Sequence, residues 1–328
     1  MRKQNSYFKV MCWVFICAFV FTGCSRNNSV GDKVSTSMEG EKGTVEEKIK
    51  EGKTESSATS QEEDTKNITV SIVTEPKIVD KDWSHYFDGL NGAAVVYDVS
   101  SKQYIMYNRE YALARNSPCS TFKIISSLIA LENGIIIPKD STRTWSGEVF
   151  WNKDWNKDID FSEAFHTSCV WYYRQVIDDI GKVMMQKELD KLQYGNCDIS
   201  DWKGKLNTNN NNRALTGFWI ESSLVISPKE QVEVMERIFG ENSVYSQKTQ
   251  KNLKKVMLVS KQKNISIYGK TGMGKVEGIV VDAWFTGFAK CRKGNMYFCV
   301  HLGRTDDMNV SSSLAKEIAI QIVSDYYK

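Results

Sequence analysis

Ser117-Pro118-Cys119-Ser120-Thr121-Phe122-Lys123-Ile124-Ile125-Ser126-Ser127-Leu128-Ile129-Ala130-Leu131-Glu132-Asn133-Gly134 is the stretch from which the rest of the chain is read. Pro118 introduces it. Ile124, Ile125, Leu128, Ile129 and Leu131 then keep helical spacing until Asn133-Gly134 stops the run. The segment Ser120 to Leu131 is apolar nearly all round, as a central buried helix is. Ser120 and Lys123 are three residues apart, so a helix places both side chains on one face. A lysine there can take the serine proton if it is neutral. Ser-x-x-Lys also occurs at Ser6–Lys9, Ser260–Lys263 and Ser313–Lys316. Ser120 alone follows a proline at the first turn of an apolar helix, where backbone N–H groups and the helix dipole stabilise a developing oxyanion.

Upstream, Gly92 to Asp98 is an apolar, β-branched run, followed by the polar Ser100-Ser101-Lys102 and by Tyr104-Ile105-Met106-Tyr107, which reads as a hairpin. Downstream, Pro138 to about Ser260 is rich in Trp, Asn and charge. It carries helical stretches at Trp171 to Asp190 and Pro228 to Phe239, and a polar loop at Asn207 to Asn212. Strand-like runs follow at Ile265 to Lys270, Ile279 to Ala289 and Met296 to Leu302, then an amphipathic helix from Ser313 to Tyr327. The order predicts an α+β fold. Residues 69–137 and 261–328 build one sheet, and 138–260 form a helical part inserted beside it.

With 328 residues, 41% hydrophobic and 25% charged, the chain has the profile of a globular protein. A net charge of +3, without a stripe of basic and aromatic residues, argues against nucleic acid as a partner. Arg2 and Lys3 precede an apolar run, Val10 to Phe21, too short to span a bilayer comfortably, which reads as an export signal over 1–23. Its end, Phe21-Thr22-Gly23-Cys24, resembles the bacterial lipoprotein box with Cys24 as the lipidated residue. An ordinary secretory signal and an uncleaved anchor are the alternatives, and all three put the folded part outside the cytoplasm. Residues 24–68 are polar and nearly free of apolar side chains, so they read as a disordered tether.

Five cysteines remain beyond Cys24: Cys119, Cys169, Cys197, Cys291 and Cys299. The number is odd, so at least one is free. Cys291 and Cys299 flank a predicted turn, where register decides between a disulfide and two buried thiols; free thiols are the expectation. No Cys/His grouping has metal-ligand spacing, and no metal is expected.

Lys270-Thr271-Gly272 ends a strand-like run, where a cation and a hydroxyl can hold a carboxylate and glycine permits close backbone approach. Ser168-Cys169-Val170 lies between it and the first motif. Ser-x-x-Lys, Ser-x-Val and Lys-Thr-Gly in that order form the pattern of penicillin-recognising serine enzymes. Ser168 to Tyr173, Tyr194-Gly195-Asn196, Phe218-Trp219-Ile220 with Ile226-Ser227, Trp145-x-Gly147 and Trp155-Asn156 narrow it: from about Gly92 to the last helix the chain resembles class D β-lactamases.

The resemblance implies a β-lactamase/transpeptidase-like fold with a central antiparallel sheet flanked by helices. It also implies hydrolysis of β-lactam antibiotics through an acyl-enzyme on Ser120. Lys123 would carry a carbamate formed with CO2 or bicarbonate, the only small molecule required, and act as general base with the Trp219 indole as donor. Ser168 would relay a proton, and the N–H groups of Ser120 and Met273 would form the oxyanion hole. Lys270, Thr271 and Gly272 would meet the substrate carboxylate, and Val170 and Ile220 would gate water. The family usually has an arginine near the start of the last helix, where this register puts Ala315, so Arg304 or Lys316 is the expected substitute. The expected location is the outer face of the bacterial cytoplasmic membrane, through lipidated Cys24. The competing functions are a β-lactam sensor acylated without turnover, a D,D-peptidase and a catalytically dead binding lipoprotein.

Overall fold

The computed structural model describes residues 76–206, 211–261, 264–292, 294–306 and 308–326, all within one compact unit, 70–328. The signal over 1–23, Cys24, the tether over 24–68 and residues 207–210 of the Asn-rich loop lie outside the described residues.

In chain order the elements are β1 (Lys77–Asp80), α1 (Ser84–Phe87), β2 (Gly92–Asp98), β3 (Gln103–Tyr107), α2 (Arg109–Leu113), α3 (Lys123–Glu132), α4 (Phe161–His166), α5 (Val170–Leu192), α6 (Pro228–Phe239), α7 (Gln247–Met257), β4 (Leu258–Lys261), β5 (Ile265–Val276), β6 (Ile279–Cys291), β7 (Gly294–Gly303) and α8 (Ser312–Tyr326). The strands form a seven-stranded sheet in the order β1-β3-β2-β7-β6-β5-β4. The N-terminal hairpin therefore joins the C-terminal strands through β2 and β7, which run antiparallel from Gly92 opposite Leu302 to Asp98 opposite Met296. The expected antiparallel sheet needs one correction, because β1 pairs parallel with β3 at the edge.

Two apolar layers sandwich the sheet. One face carries Ala93, Val95, Trp284, Phe288 and Tyr297 under the middle helices. The other carries Ala94, Val96, Phe285 and Phe298 under α1 and α8. This alternation is what period-two strands require when both faces are covered. The inserted part is less helical than its sequence suggested: apart from α4 and a 3-10 turn at Lys153–Trp155, residues 138–169 are turns and short bridges, and among the described residues of 193–227 the only helical piece is a 3-10 turn at Arg213–Leu215. The sheet portion begins at Leu258 rather than at residue 261. α5 holds a non-helical Gly181 at φ 74°, ψ 158°, which kinks it. α6 starts at Pro228 because Ser227 and Glu230 form a reciprocal capping box.

Cys291 stands opposite Gly294 and Cys299 opposite Thr286, so the two cysteines are not cross-strand partners. Among the described residues Cys119, Cys169, Cys197 and Cys299 are free thiols.

Candidate active site

Ser120 does not sit on the α-helix itself. Cys119–Phe122 form a single 3-10 turn that feeds into α3 at Lys123. Cys119 adopts φ 49°, a left-handed conformation that L-residues rarely adopt, and this turns Ser120 out toward solvent. Strain of this kind persists only where the surroundings hold it. Here the Cys119 N–H donates to Trp219 O at 3.0 Å, and the Ser117 hydroxyl donates to the same carbonyl at 3.1 Å while accepting from Glu221 N–H at 2.8 Å. The Trp284 indole donates to Ser117 O at 2.9 Å, and Gln231 donates to the Thr121 hydroxyl at 2.9 Å.

Behind Ser120 lies Lys123, 1% exposed, with its Nζ donating to Ser120 Oγ at 2.9 Å. Its Nζ lies 5.4 Å from the Tyr173 ring centre, and no carboxylate pairs with it among the described residues. A buried ammonium without a counter-ion is strongly disfavoured, and burial lowers the Lys123 pKa to about 8. On the helix, every residue from Lys123 to Ala130 is buried, so the amine has no route to water along α3.

The Lys-Thr-Gly segment runs along β5 beside the turn. A Cβ at Gly272 would stand 2.9 Å from Pro118 O and 3.0 Å from Thr121 Cγ2, so glycine is what allows strand and turn to touch. Lys270 is buried, donating to Thr271 O at 3.0 Å and Thr271 Oγ1 at 3.3 Å. Its pKa is well below the usual lysine range, first through burial and then through the charge of Lys123.

Ser168 is held at φ 58°, and its buried hydroxyl has no hydrogen-bond partner among the described residues. Buried hydroxyls are almost always paired, so this one is presented to whatever enters the cleft. Trp219 is buried, stacking on Phe122 at 6.1 Å and meeting Phe218 edge-on at 5.2 Å, with the Arg174 guanidinium 5.2 Å from its ring centre. Tyr194-Gly195-Asn196 acts on it from a distance. Asn196 donates to Ser223 O at 2.8 Å and accepts from Val225 N–H at 3.0 Å, pinning the loop that carries Trp219. Asn196→Ala removes both bonds, and a third from Asp198 N–H at 3.2 Å, and is expected to cost roughly 1–2 kcal/mol. Calorimetry should show a Tm lowered by about 3–8 °C; an unchanged Tm would mean that this loop holds itself.

A cleft of about 610 Å³ opens onto this constellation, a size suited to a small organic ligand. Ser120, Ser168, Val170, Ile220, Thr271 and Met273 line it. Gly272 lines it as well, while Lys123, Trp219 and Lys270 are buried behind its wall. Arg304 is the candidate that the fold does not bring in. It lies past the end of β7 with its side chain 58% exposed, and Asp306, two residues on, captures its guanidinium at 3.2 Å. Lys316 is on α8 and does not line the cleft either, and Ala315 is fully buried against the sheet. The cation that does line the cleft is Lys275, with Ser312 at the start of α8.

Sequence reasoning also missed Trp151, Asn152, Leu215 and Glu221 on the cleft wall. Glu221 has φ 47°. One carboxylate oxygen accepts from Lys275 N–H where β5 bulges after Gly274, and the other is buried without a partner among the described residues. Burial raises its pKa. Only its place beside Ile220 marked it.

A serine on a strained turn, a desolvated lysine at hydrogen-bond distance and an opening bounded by a Lys-Thr-Gly strand define a protein built for serine acylation. The family described as Transpeptidase, the penicillin binding protein transpeptidase domain, matches residues 92–324, and the chain belongs to it. Among its relatives, "Regulatory protein BlaR1" of Bacillus licheniformis is 30% identical over 245 residues, covering 74% of this chain and 38% of that protein. "Probable beta-lactamase YbxI" of Bacillus subtilis (strain 168) is 31% identical over 241 residues, covering 73% of this chain and 82% of that protein. The solved structure titled "Crystal Structure of Beta-lactamase class D from Bacillus subtilis" superposes with a TM-score of 0.65 at 29% identity, covering 75% of this chain and 95% of that one. The chain spans about two fifths of the length of the BlaR1 relatives, 38% and 40%.

Proposed function

We propose that the protein is a class D β-lactamase that hydrolyses β-lactam antibiotics through an acyl-enzyme on Ser120. The observation that carries the reading is the 2.9 Å contact from a buried, charge-unpaired Lys123 to Ser120 Oγ. With its pKa lowered to about 8, roughly one Lys123 in ten is neutral at pH 7, against fewer than one in a thousand at the ordinary value of 10.5. The neutral amine accepts the Ser120 proton as its oxygen attacks the lactam carbonyl. The N–H groups of Ser120 and Met273 would receive the carbonyl oxygen that becomes negative, and the Ser168 hydroxyl relays a proton: it gives its own to the departing lactam nitrogen and takes back the one that Lys123 accepted, so serine and lysine both end as they began. Thr271 meets the substrate carboxylate from the β5 side with Lys270 behind it, donating to the Thr271 hydroxyl, and Lys275 takes the place expected for Arg304 at the rim. Val170 and Ile220 gate the water that releases the product.

The residues fit a carbamate on Lys123: the amine is dry, its hydrogen-bond partner is a hydroxyl, and buried Trp219, stacked on the neighbouring Phe122, is the indole that would donate to it. Such a group, formed from CO2 or bicarbonate, would supply a carboxylate base for both acylation and deacylation. The location read from residues 1–24, an outer-face lipoprotein held through Cys24, belongs to the same proposal.

The second reading is a sensor that is acylated and stays so, favoured by the 30% identity to BlaR1. Nitrocefin separates the two. A β-lactamase turns over many equivalents, and faster once bicarbonate is restored to CO2-depleted buffer. A stoichiometric burst that bicarbonate does not extend would overturn the enzyme reading in favour of the sensor.

A further inference from the structure

From Asn242 to Val276 the chain has eight lysines and no Asp or Glu. The fold gathers most of the solvent-facing ones on one surface whose groove shares no lining residue with the cleft. α7 presents Lys248, Lys251 and Lys255 to solvent and Lys254 half-buried, while Thr249, Leu253, Val256 and Met257 face the core. Between α7 and β5 lies a groove of about 570 Å³ lined by Gln250, Lys251, Lys254, Lys255, Leu258 and Tyr268. Lys261 pairs with Ser266 and Ser266 with Lys290, so these residues share one sheet face two residues along β5 from Tyr268. They continue the groove past the end of α7. Lys254 lies 5.3 Å from the Phe239 ring and 5.7 Å from Phe288, where burial and the charge of Lys290 both lower its pKa.

The neighbouring helix shows what a merely solvated face looks like. α6 neutralises its cations internally, with Lys229 and Arg237 both against Glu233. None of the α7 lysines, Lys261 or Lys290 has a carboxylate partner among the described residues. The helix dipole favours Lys254 and Lys255 in the last turn, but it opposes Lys248 in the first. The surface thus keeps its own repulsion. Beside the lysines, Leu258 and Val259 are 41% and 42% exposed, aliphatic side chains that a water-facing polyanion has no use for.

We infer that the surface formed by α7, β4 and the β6 end of the sheet docks onto an anionic lipid bilayer, with lipid phosphates in the lysine groove and Leu258 and Val259 against the interface. Clustered lysines attract anionic leaflets additively within a Debye length, and a few aliphatic side chains add interfacial burial.

The test is amide hydrogen exchange of the full chain with phosphatidylglycerol vesicles and with phosphatidylcholine vesicles; any hold by other parts of the chain is common to both. The expected result is slowing across Gln247 to Lys261 by about tenfold on the anionic vesicles only, reversed at about 0.5 M salt. The triple variant Lys251→Gln, Lys254→Gln, Lys255→Gln should lose the slowing while its nitrocefin turnover in solution stays unchanged. The corresponding triple Lys→Arg variant should retain it, which separates charge from a local folding defect. Equal slowing on both vesicle types, or none on either, overturns the inference. Equal slowing by soluble polyphosphate without vesicles also overturns it, in favour of a soluble polyanion.

Discussion

Replacing Ser120 by alanine is expected to lower nitrocefin turnover by roughly 10⁴- to 10⁶-fold, the loss typical of removing a catalytic nucleophile. Intact mass after penicillin treatment should show no adduct. The cleft offers no substitute. The Cys119 thiol is fully buried, and burial, reinforced by the Asp282 charge, pushes its pKa well up, so it is not a thiolate near neutral pH. Ser168 lines the cleft, but its hydroxyl has no hydrogen-bond partner among the described residues to take its proton. The turn itself should survive, because its clamps run through Ser117, Cys119 and Thr121 rather than through the Ser120 hydroxyl. The variant should therefore still bind β-lactams without covalent attachment. Turnover within about tenfold of the parent would mean that another residue attacks the lactam, and both the hydrolase and the sensor readings would fail.

Much of this was legible in the sequence, because several signals agreed. Helical spacing after Pro118 identified α3, and the β-branched runs identified β2 and β5 to β7 to within a few residues, apart from the extension of β5 to Val276. Asn133-Gly134 marked the end of α3, and the stretch from Pro228 to Phe239 matched α6. What stayed hidden depends on tertiary geometry. The 3-10 turn at Cys119 comes from hydrogen bonds to Trp219 and Glu221, about a hundred residues away, and no local pattern encodes them. β1 was missed because it is a four-residue edge strand with mostly exposed side chains. Arg304 was chosen for its charge and its place near the last helix, but a sequence neighbour, Asp306, satisfies it first. Lys275 was overlooked because it follows the Lys-Thr-Gly motif on an apparently ordinary strand. It is the bulge after Gly274 that sets it at the cleft.

The Lys123→Met variant should separate two roles of one amine. Met fills similar volume without a charge, so the core of α3 is kept while the base is lost. With nitrocefin, turnover should fall by roughly 10³-fold or more, and the little acylation that occurs should accumulate as a long-lived adduct, since proton transfer assists both ester formation and its hydrolysis. Stability should change in the opposite direction. Lys123 has a pKa of 10.5 as an ordinary lysine and about 8 in the fold, a difference of roughly 3 kcal/mol. Below about pH 8 both folded and unfolded chains carry the proton, so the parent bears the whole penalty. Between 8 and 10.5 the unfolded chain holds more protons, and the parent's stability rises with pH. In CO2-free buffer at pH 7 the variant should therefore be the more stable by roughly 2–3 kcal/mol, and the gap should close as pH climbs toward 10. Bicarbonate should also narrow it by stabilising the parent alone. Denaturant unfolding at several pH values measures this directly. A gap independent of both pH and bicarbonate would show that Lys123 has ordinary lysine chemistry, and the proposed route of proton transfer from Ser120 would have to be given up.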